Sequence, residues 1–306
     1  MHAFVAHAAE GVELAEVTPV QRVILGGELR RLRERALLTG QHLKDQLGWS
    51  TSKTSRIENA HISISRTDLE LLLELYGASS VERERIISLY NRGSVQAWWR
   101  AYSTPGDVFL QYLDFEAVAD TIDAWEIRVV PGLLQTEDYA RCLLSAWRAI
   151  DADLTARAIE ERLLVRMRRQ GRLTSERPMS LNVVIDESVL LRRIGDEVVM
   201  RNQLLKLVQA SELPNVSIRV LPLDAMRQIM EGHFLLLTLS VATGIEERLL
   251  YLDLSGSMDQ IATDEVRIHE FQRMLDEITA NSLSFERSRD LIKRHARERW
   301  GAVEEI

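Results

Sequence analysis

The sequence has little cysteine and no long apolar segment, and these absences argue against several classes of protein. Cys142 is the single cysteine among 306 residues, so an intrachain disulfide framework or a multi-cysteine zinc site is excluded. No run approaches about 18 consecutive apolar residues, as a membrane-spanning helix would need. The opening MHAFVAHAAE lacks the basic start and long apolar core of a secretory signal. We therefore expect a cytoplasmic protein with no membrane contact and with residues 1–20 as a flexible N-terminal arm.

Signatures of catalysis are also missing. The sequence contains no G-x-S-x-G, no phosphate-binding loop and no G-x-G-x-x-G, and its seven histidines are scattered without an H-x-x-x-H pair. Carboxylates do follow several predicted strands, and such a group could hold Mg²⁺ in a metal-dependent hydrolase. Those residues are Asp186, Glu187, Asp224 and Asp253. Because aspartate and glutamate also end strands simply by making turns, we expect no catalytic activity, no cofactor and no metal, and we interpret Cys142 as a core residue.

Negative charge exceeds positive charge overall, and one stretch of the chain is an exception. The net charge of −8 argues against a protein that coats nucleic acid. Between Gly26 and Arg66, however, there are eight basic and four acidic residues, so this stretch carries a net charge of +4 and the remainder carries −12. A basic segment on an acidic chain is typical of a small DNA contact attached to a larger domain. A solvated helix face is the alternative.

The stretch Gly27–Asn59 predicts two helices and a turn that present a third helix. Helix one runs over residues 20–36, Thr39 is the expected N-cap of helix two, and Gly48 suits the left-handed position that ends it.

Helix three, Thr51–Asn59, has a thin apolar side. Only Ile57 is strongly apolar, with Thr54 three residues before it. The remaining side is small, polar and basic, which suits the major groove of duplex DNA. Because a carboxylate near phosphates is repelled, we expect Glu58 to pair with an arginine of helix one.

The segment LRRLRERALLTGQHLKDQLGWSTSKTSRIENA resembles the helix-turn-helix of the phage-repressor-like (XRE) transcriptional regulators. The resemblance implies a set of DNA-contacting residues, namely Gln41, Thr51, Ser52, Lys53, Ser55 and Arg56. Arg56 can donate two coplanar hydrogen bonds to guanine, whereas Lys53 suits a phosphate. The chain departs from the family at Gly40, where a phosphate-binding glutamine is usual, at Lys44, where a small packing residue is usual, and at Ala60, where glycine is usual.

Two further predicted helices complete an all-α five-helix domain over residues 21–92, followed by a linker over 93–106. Residues 107–306 intermix helices with about five strands, which predicts an α/β domain around one sheet and a mixed α+β chain overall. The predicted strands are 121–129, 181–185, 216–221, 233–239 and 248–254. We expect the arginines of residues 154–171 to lie on a solvated face or at the rim of a dimer.

This second part resembles the antitoxin-like C-terminal domain (DUF5753, Scr1 type) of a class of actinomycete regulators. The resemblance lies in YLDFEAVADTIDAWEIRVVPGLLQTEDYA, VVIDESVLLRRIG and LPNVSIRVLPL, and VPGLLQTEDYA is the most distinctive run. It implies a regulator that often acts with a small partner protein encoded by an adjacent gene, and it implies no particular ligand. Trp98, Trp99 and Trp125 could line a pocket for an apolar effector, although such residues more often belong to a core.

The sequence thus predicts a sequence-specific regulator that binds double-stranded DNA as a homodimer. The C-terminal domain would dimerise and sense a partner or effector. The alternative is an antitoxin-like protein that neutralises a small partner and binds DNA for autoregulation.

Overall fold

The computed structural model describes residues 19–91, 98–102, 106–151, 153–225, 232–242, 245–253 and 260–301. The chain divides into two compact units, residues 1–96 and residues 97–306. The predicted N-terminal arm lies almost wholly outside the described residues, as does most of the predicted linker.

The first unit is all-α, and its five predicted helices are confirmed. They are α1 (Pro19–Arg35), α2 (Gly40–Leu47), α3 (Thr51–Glu58), α4 (Arg66–Leu75) and α5 (Ser80–Asn91). Their apolar side chains form one core in which Leu29, Leu32 and Leu43 are fully buried. Trp49 packs into this core from the turn between α2 and α3. Gly26 allows α1 to approach α3 closely, since a Cβ there would lie 2.5 Å from the carbonyl oxygen of Glu58.

Capping residues fix where the short helices begin and end. Thr39 caps α2 by accepting from the His42 amide, while the His42 ring accepts from the Thr39 amide, so histidine completes a capping box. Gly48 ends α2 with φ of +67°. Ala60, after α3, adopts φ of +59°. For a residue with a Cβ this conformation costs about 1–2 kcal/mol, which explains the glycine usual at that position in the resembling family.

The second unit is an α/β domain. Its α-helices are α6 (Asp107–Glu116), α7 (Glu137–Ala146), α8 (Ala156–Arg169), α9 (Glu187–Leu191), α10 (Glu197–Ala210), α11 (Glu265–Ala280) and α12 (Phe285–Glu298). Its strands are β1 (Thr121–Glu126), β2 (Ser180–Asp186), β3 (Val216–Leu221), β4 (Phe234–Ala242), β5 (Ile245–Leu252) and β6 (Gln260–Ala262). The five predicted strands correspond to β1–β5, and β6 is a short additional strand.

All six strands form one mixed sheet in the order β3-β2-β1-β4-β5-β6. The strands β1, β2 and β3 are parallel and joined by helical crossovers, whereas β4, β5 and β6 run antiparallel to their neighbours. On one face of the sheet, Trp125 and Phe234 pack with Phe271 of α11 in a buried cluster. The last residues of β1 and β5 lie beside the first residue of β4.

Two features of the second unit lie in or directly after the predicted linker. The helix α6 begins at Asp107, immediately after Gly106. Trp98 and Trp99 form a 3₁₀ turn in the second unit, and the indole of Trp99 donates to Asp114 on α6. The pair thus packs against its own unit.

Candidate functional site

The exposed face of α3 is polar, as its sequence predicts. Thr54 and Ile57 are buried, at 4% and 3% exposure. The side chains of Thr51, Ser52 and Arg56 are exposed. The helix therefore packs on its own domain through a narrow buried stripe and leaves Thr51, Ser52, Ser55 and Arg56 exposed.

Lys53, the predicted phosphate contact, is engaged within the domain. Its Nζ lies 3.0 Å from Oδ2 of Asp68 on α4 and 3.6 Å from the centre of the Trp49 ring. The ion pair is partly exposed, so its contribution to stability is small. Any phosphate would compete with Asp68 for this ammonium group.

The remaining DNA-contact candidates lie at the surface with fewer constraints. Among the described residues no ion pair engages Arg56, and the Ser55 hydroxyl accepts from the side-chain amide of Asn59 at 3.2 Å. Gln41 on α2 donates to Asp45 one turn later, at 2.8 Å. Arg56 is thus a guanidinium whose donors face solvent, as a base-reading arginine requires.

The orientation of α3 is fixed by a two-pronged ion pair, which confirms the prediction for Glu58. Arg33 of α1 donates from Nε to Oε1 of Glu58 at 2.7 Å and from Nη2 to Oε2 at 2.9 Å. Arg33 also donates to the carbonyl of Leu38. Because both partners are largely buried, the geometry holds α3 at a set angle to α1.

A groove of about 370 Å³ opens between α1, α2 and α3. Its lining residues are Arg30, Arg33, Thr39, Gly40, Thr51, Thr54, Ser55, Glu58 and Asn59. Gly40 contributes to its width, since a Cβ there would contact the Thr51 methyl at 3.5 Å. Sequence reasoning did not single out Arg30 or Asn59, because neither lies in the contact positions of the resembling family.

The strand-end carboxylates have separate structural uses. Asp186 caps α9, and Glu187 pairs with His295 at 2.8 Å and accepts from the Leu223 amide. Within the described ranges no three histidine, cysteine or acidic side chains are grouped as metal ligands would be.

The distinctive VPGLLQTEDYA run folds into a loop held by side-chain amides. Gln135 donates to the carbonyl of Val130 at 2.6 Å, and Gln170, directly after α8, donates to the carbonyls of Gly132 and Gln135. Gln203 of α10 donates to the carbonyl of Leu134 at 2.8 Å. The run therefore joins α8 and α10 to the end of β1, which makes its residues structural.

One face of α8 carries Arg162, Arg166 and Arg169, which we call the α8 arginine face. The expectation that the arginines of residues 154–171 lie on a solvated face or at the rim of a dimer is wrong for Arg169, which is only 9% exposed and pairs with the buried Glu116 at 2.6 Å. It holds for Arg157, whose side chain is 88% exposed. The spacing i, i+4, i+7 places the three arginines together. Arg166 donates to Oε1 of Gln135 at 3.0 Å.

Next to this face, His233 lies buried between two carboxylates at the strand ends. Its Nδ1 is 3.1 Å from Glu126 and its Nε2 is 3.4 Å from Asp253, which also pairs with Arg128 at 3.1 Å. Burial alone would lower the pKa of His233, but the charge of Glu126 and the contact with Asp253 raise it to about 9. Burial alone would also raise the pKa of Asp253, but His233 and Arg128 hold it well below its ordinary value. The histidine is therefore a buried cation at neutral pH.

Comparison with known proteins gives a family for each unit. A model of a helix-turn-helix domain matches residues 24–86, and the model of a domain of unknown function (DUF5753) matches residues 109–294. No curated protein and no solved structure matches the chain. No helix among the described residues is both long and apolar enough to cross a bilayer. Because the second model covers more than half of the chain, the protein belongs to the DUF5753 family and carries a helix-turn-helix domain ahead of that domain.

Proposed function

We propose that the protein is a transcriptional regulator that binds specific sequences of double-stranded DNA, with α3 in the major groove. The observation that carries the proposal is the division of α3 into a buried stripe and a polar surface that ends in the exposed Arg56. The helix-turn-helix match over residues 24–86 supports it. In this role Arg56 reads a guanine, Thr51, Ser52 and Ser55 contact bases or sugar-phosphate, and Lys53 and Gln41 contact phosphates. The proposal includes no catalytic step and no cofactor.

The same proposal gives the second unit two tasks, dimerisation and the sensing of a partner or effector. One reading helix with few base contacts binds weakly, so a homodimer that occupies two half-sites supplies the missing affinity.

The two kinds of DNA contact are separable by mutation. We expect Arg56→Ala to relax the base preference at one position, with a loss of roughly 1–3 kcal/mol on the preferred sequence. We expect Lys53→Ala to weaken binding to all sequences alike and to flatten the dependence of affinity on salt. The measurement is selection of bound sequences from a random pool, followed by titration of the selected site at several salt concentrations.

Arg83→Ala is the matched control, since it removes an arginine from α5 of the same domain and should leave both properties unchanged. Equal losses on every sequence for Arg56→Ala and Lys53→Ala would contradict the assigned roles.

A protein-interaction module of the antitoxin-like kind is the second candidate, and one surface favours it. A groove of about 760 Å³ lies between α10 and α12, with Leu205 exposed on α10. It is lined by Arg201, Leu205, Asp290, Lys293, Arg294, Ala296, Arg297 and Gly301. A lining that combines apolar Leu205 and Ala296 with four basic residues and one acidic residue suits an acidic amphipathic segment. Co-purification with the product of an adjacent gene distinguishes this candidate from the first.

A further inference from the structure

The α8 arginine face holds more positive charge than the neighbouring carboxylates neutralise. Arg169 takes Glu116, and His233 lies between Glu126 and Asp253. Each carboxylate described around this face is therefore already engaged by a cation. Arg166 has only the neutral amide oxygen of Gln135 as its hydrogen-bond acceptor among the described residues.

Arg162 is the least satisfied of the three. It is partly buried, and its Nε is out of contact with solvent and has no hydrogen-bond partner within the described part of the chain. A buried donor without an acceptor is unfavourable unless something else supplies the acceptor. The Nε of Arg169 is likewise buried and unsatisfied.

The electrostatics of Arg166 agree with this geometry. Burial and the charge of Arg169 lower the pKa of Arg166 to about 10, with a smaller contribution from Arg162, although the negative charge of Asp253 acts in the opposite direction. The charges of Arg192 and Arg166 also act on the buried hydroxyl of Tyr139. Arg192 is exposed and donates to the carbonyl of Arg128. Guanidinium groups therefore converge from α8 and from the end of α9 on one region.

We propose that Arg162 and Arg166 of α8, with Arg192 at the rim, form a binding site for a small oxyanion, either a phosphate-bearing or a carboxylate-bearing molecule. Guanidinium groups match both kinds of oxyanion through paired N–H donors. Gln135 is a positioning residue, because it holds Arg166 while its own amide is fixed by the carbonyl of Val130.

Only the biological meaning of the anion site rests on the sensing role proposed for the second unit. The binding of the anion itself does not depend on that role. Anion binding is measured without DNA, so its failure is distinguishable from a failure of DNA recognition. Inorganic phosphate and citrate are the two probes, and sodium chloride at matched ionic strength separates binding from screening.

The test is thermal unfolding and calorimetric titration of the full chain with each probe at millimolar concentration. We expect one of the two anions to raise the melting temperature by several degrees above the chloride control, since a ligand that binds the folded state stabilises it. Arg162→Gln and Arg166→Gln should each weaken binding by about tenfold or more. Arg157→Gln, on the same helix but 88% exposed and paired with Glu161, should bind as the unmodified chain does.

A second readout separates a ligand site from a structural role. Without anion, Arg162→Gln should melt at or above the temperature of the unmodified chain, because it removes a charge that repels Arg166. A lower melting temperature for Arg162→Gln, an equal response of Arg157→Gln and Arg166→Gln, or no response to either probe beyond that to chloride would overturn the proposal. A response to phosphate alone identifies a phosphate-bearing ligand, and a response to citrate alone identifies a carboxylate-bearing ligand.

Discussion

At the scale of single residues, Lys53, the proposed phosphate contact, already has partners within its own domain. Lys53 contacts Asp68 at 3.0 Å and lies over the Trp49 ring. This pair was invisible in the sequence, because the two residues are 15 positions apart and belong to different helices. DNA binding would therefore exchange one partner of Lys53 for another, which reduces the net gain from its phosphate contact.

We expect Asp68→Asn to raise the affinity for all DNA sequences and to leave the base preference unchanged. The change frees Lys53 and removes a negative charge, so the slope of log affinity against log salt should steepen by about 0.9 for one additional phosphate. Titration of the selected and a scrambled site at four salt concentrations measures this.

The control for Asp68→Asn is Glu74→Gln, which removes one exposed negative charge from the same helix. If both variants changed the slope equally, the Lys53–Asp68 pair would not be the cause.

At the scale of elements, hydrophobic spacing and capping residues predicted most of the fold. Leu29 and Leu32 of α1 and Leu43 of α2 are buried in one core, as expected for helices that each turn an apolar side inward. The three-residue β6 escaped prediction because so short an edge strand has no detectable alternation. The arginines of α8 were expected on a solvated face or at the rim of a dimer because charged side chains usually are exposed, and the pairing of Arg169 with the buried Glu116 of α6 contradicts this for Arg169.

The ends of β1, β4 and β5 meet at His233, and this junction makes the stability of the second unit depend on pH. The folded pKa of His233, about 9, lies above the ordinary value of 6.5. Its contribution is therefore complete below about pH 6.5 and is lost as pH rises through about 9. We expect a loss of up to about 3 kcal/mol across this window. Urea unfolding at several pH values, followed by the fluorescence of the tryptophans, measures it.

Comparison of variants isolates the histidine from other titrating groups. His233→Gln should be less stable at pH 6 and show a flatter dependence on pH between 6.5 and 9. His269→Gln, at an exposed position of α11, should keep the full slope. A slope unchanged by His233→Gln would assign the pH dependence to other groups.

At the scale of the whole molecule, charge separates the two tasks proposed for the chain. The basic helix-turn-helix belongs to a chain of net charge −8, so we expect non-specific attraction to DNA to be weak and the affinity to depend on a few contacts. The groove of α10 and α12 and the α8 arginine face are local cationic regions within the acidic remainder. They concentrate positive charge where a regulator would receive an acidic partner or an anion.

The proposed homodimer would compensate for the weak binding of a single α3. It predicts a fixed spacing between the two half-sites of the operator. Two copies of α3 related by a two-fold axis reach half-sites about 34 Å apart, or a multiple of that distance, on one side of the duplex. Inserting about 5 base pairs between the half-sites turns one of them to the opposite side, so the affinity should fall to that of a single half-site. Inserting about 10 base pairs should restore much of the affinity. Gel-shift titration of the three operators measures this, and sedimentation of the free chain determines whether the dimer forms before DNA binding. Equal affinity for all three operators would show that the copies bind independently, and recognition would then depend on the contacts of one α3 alone.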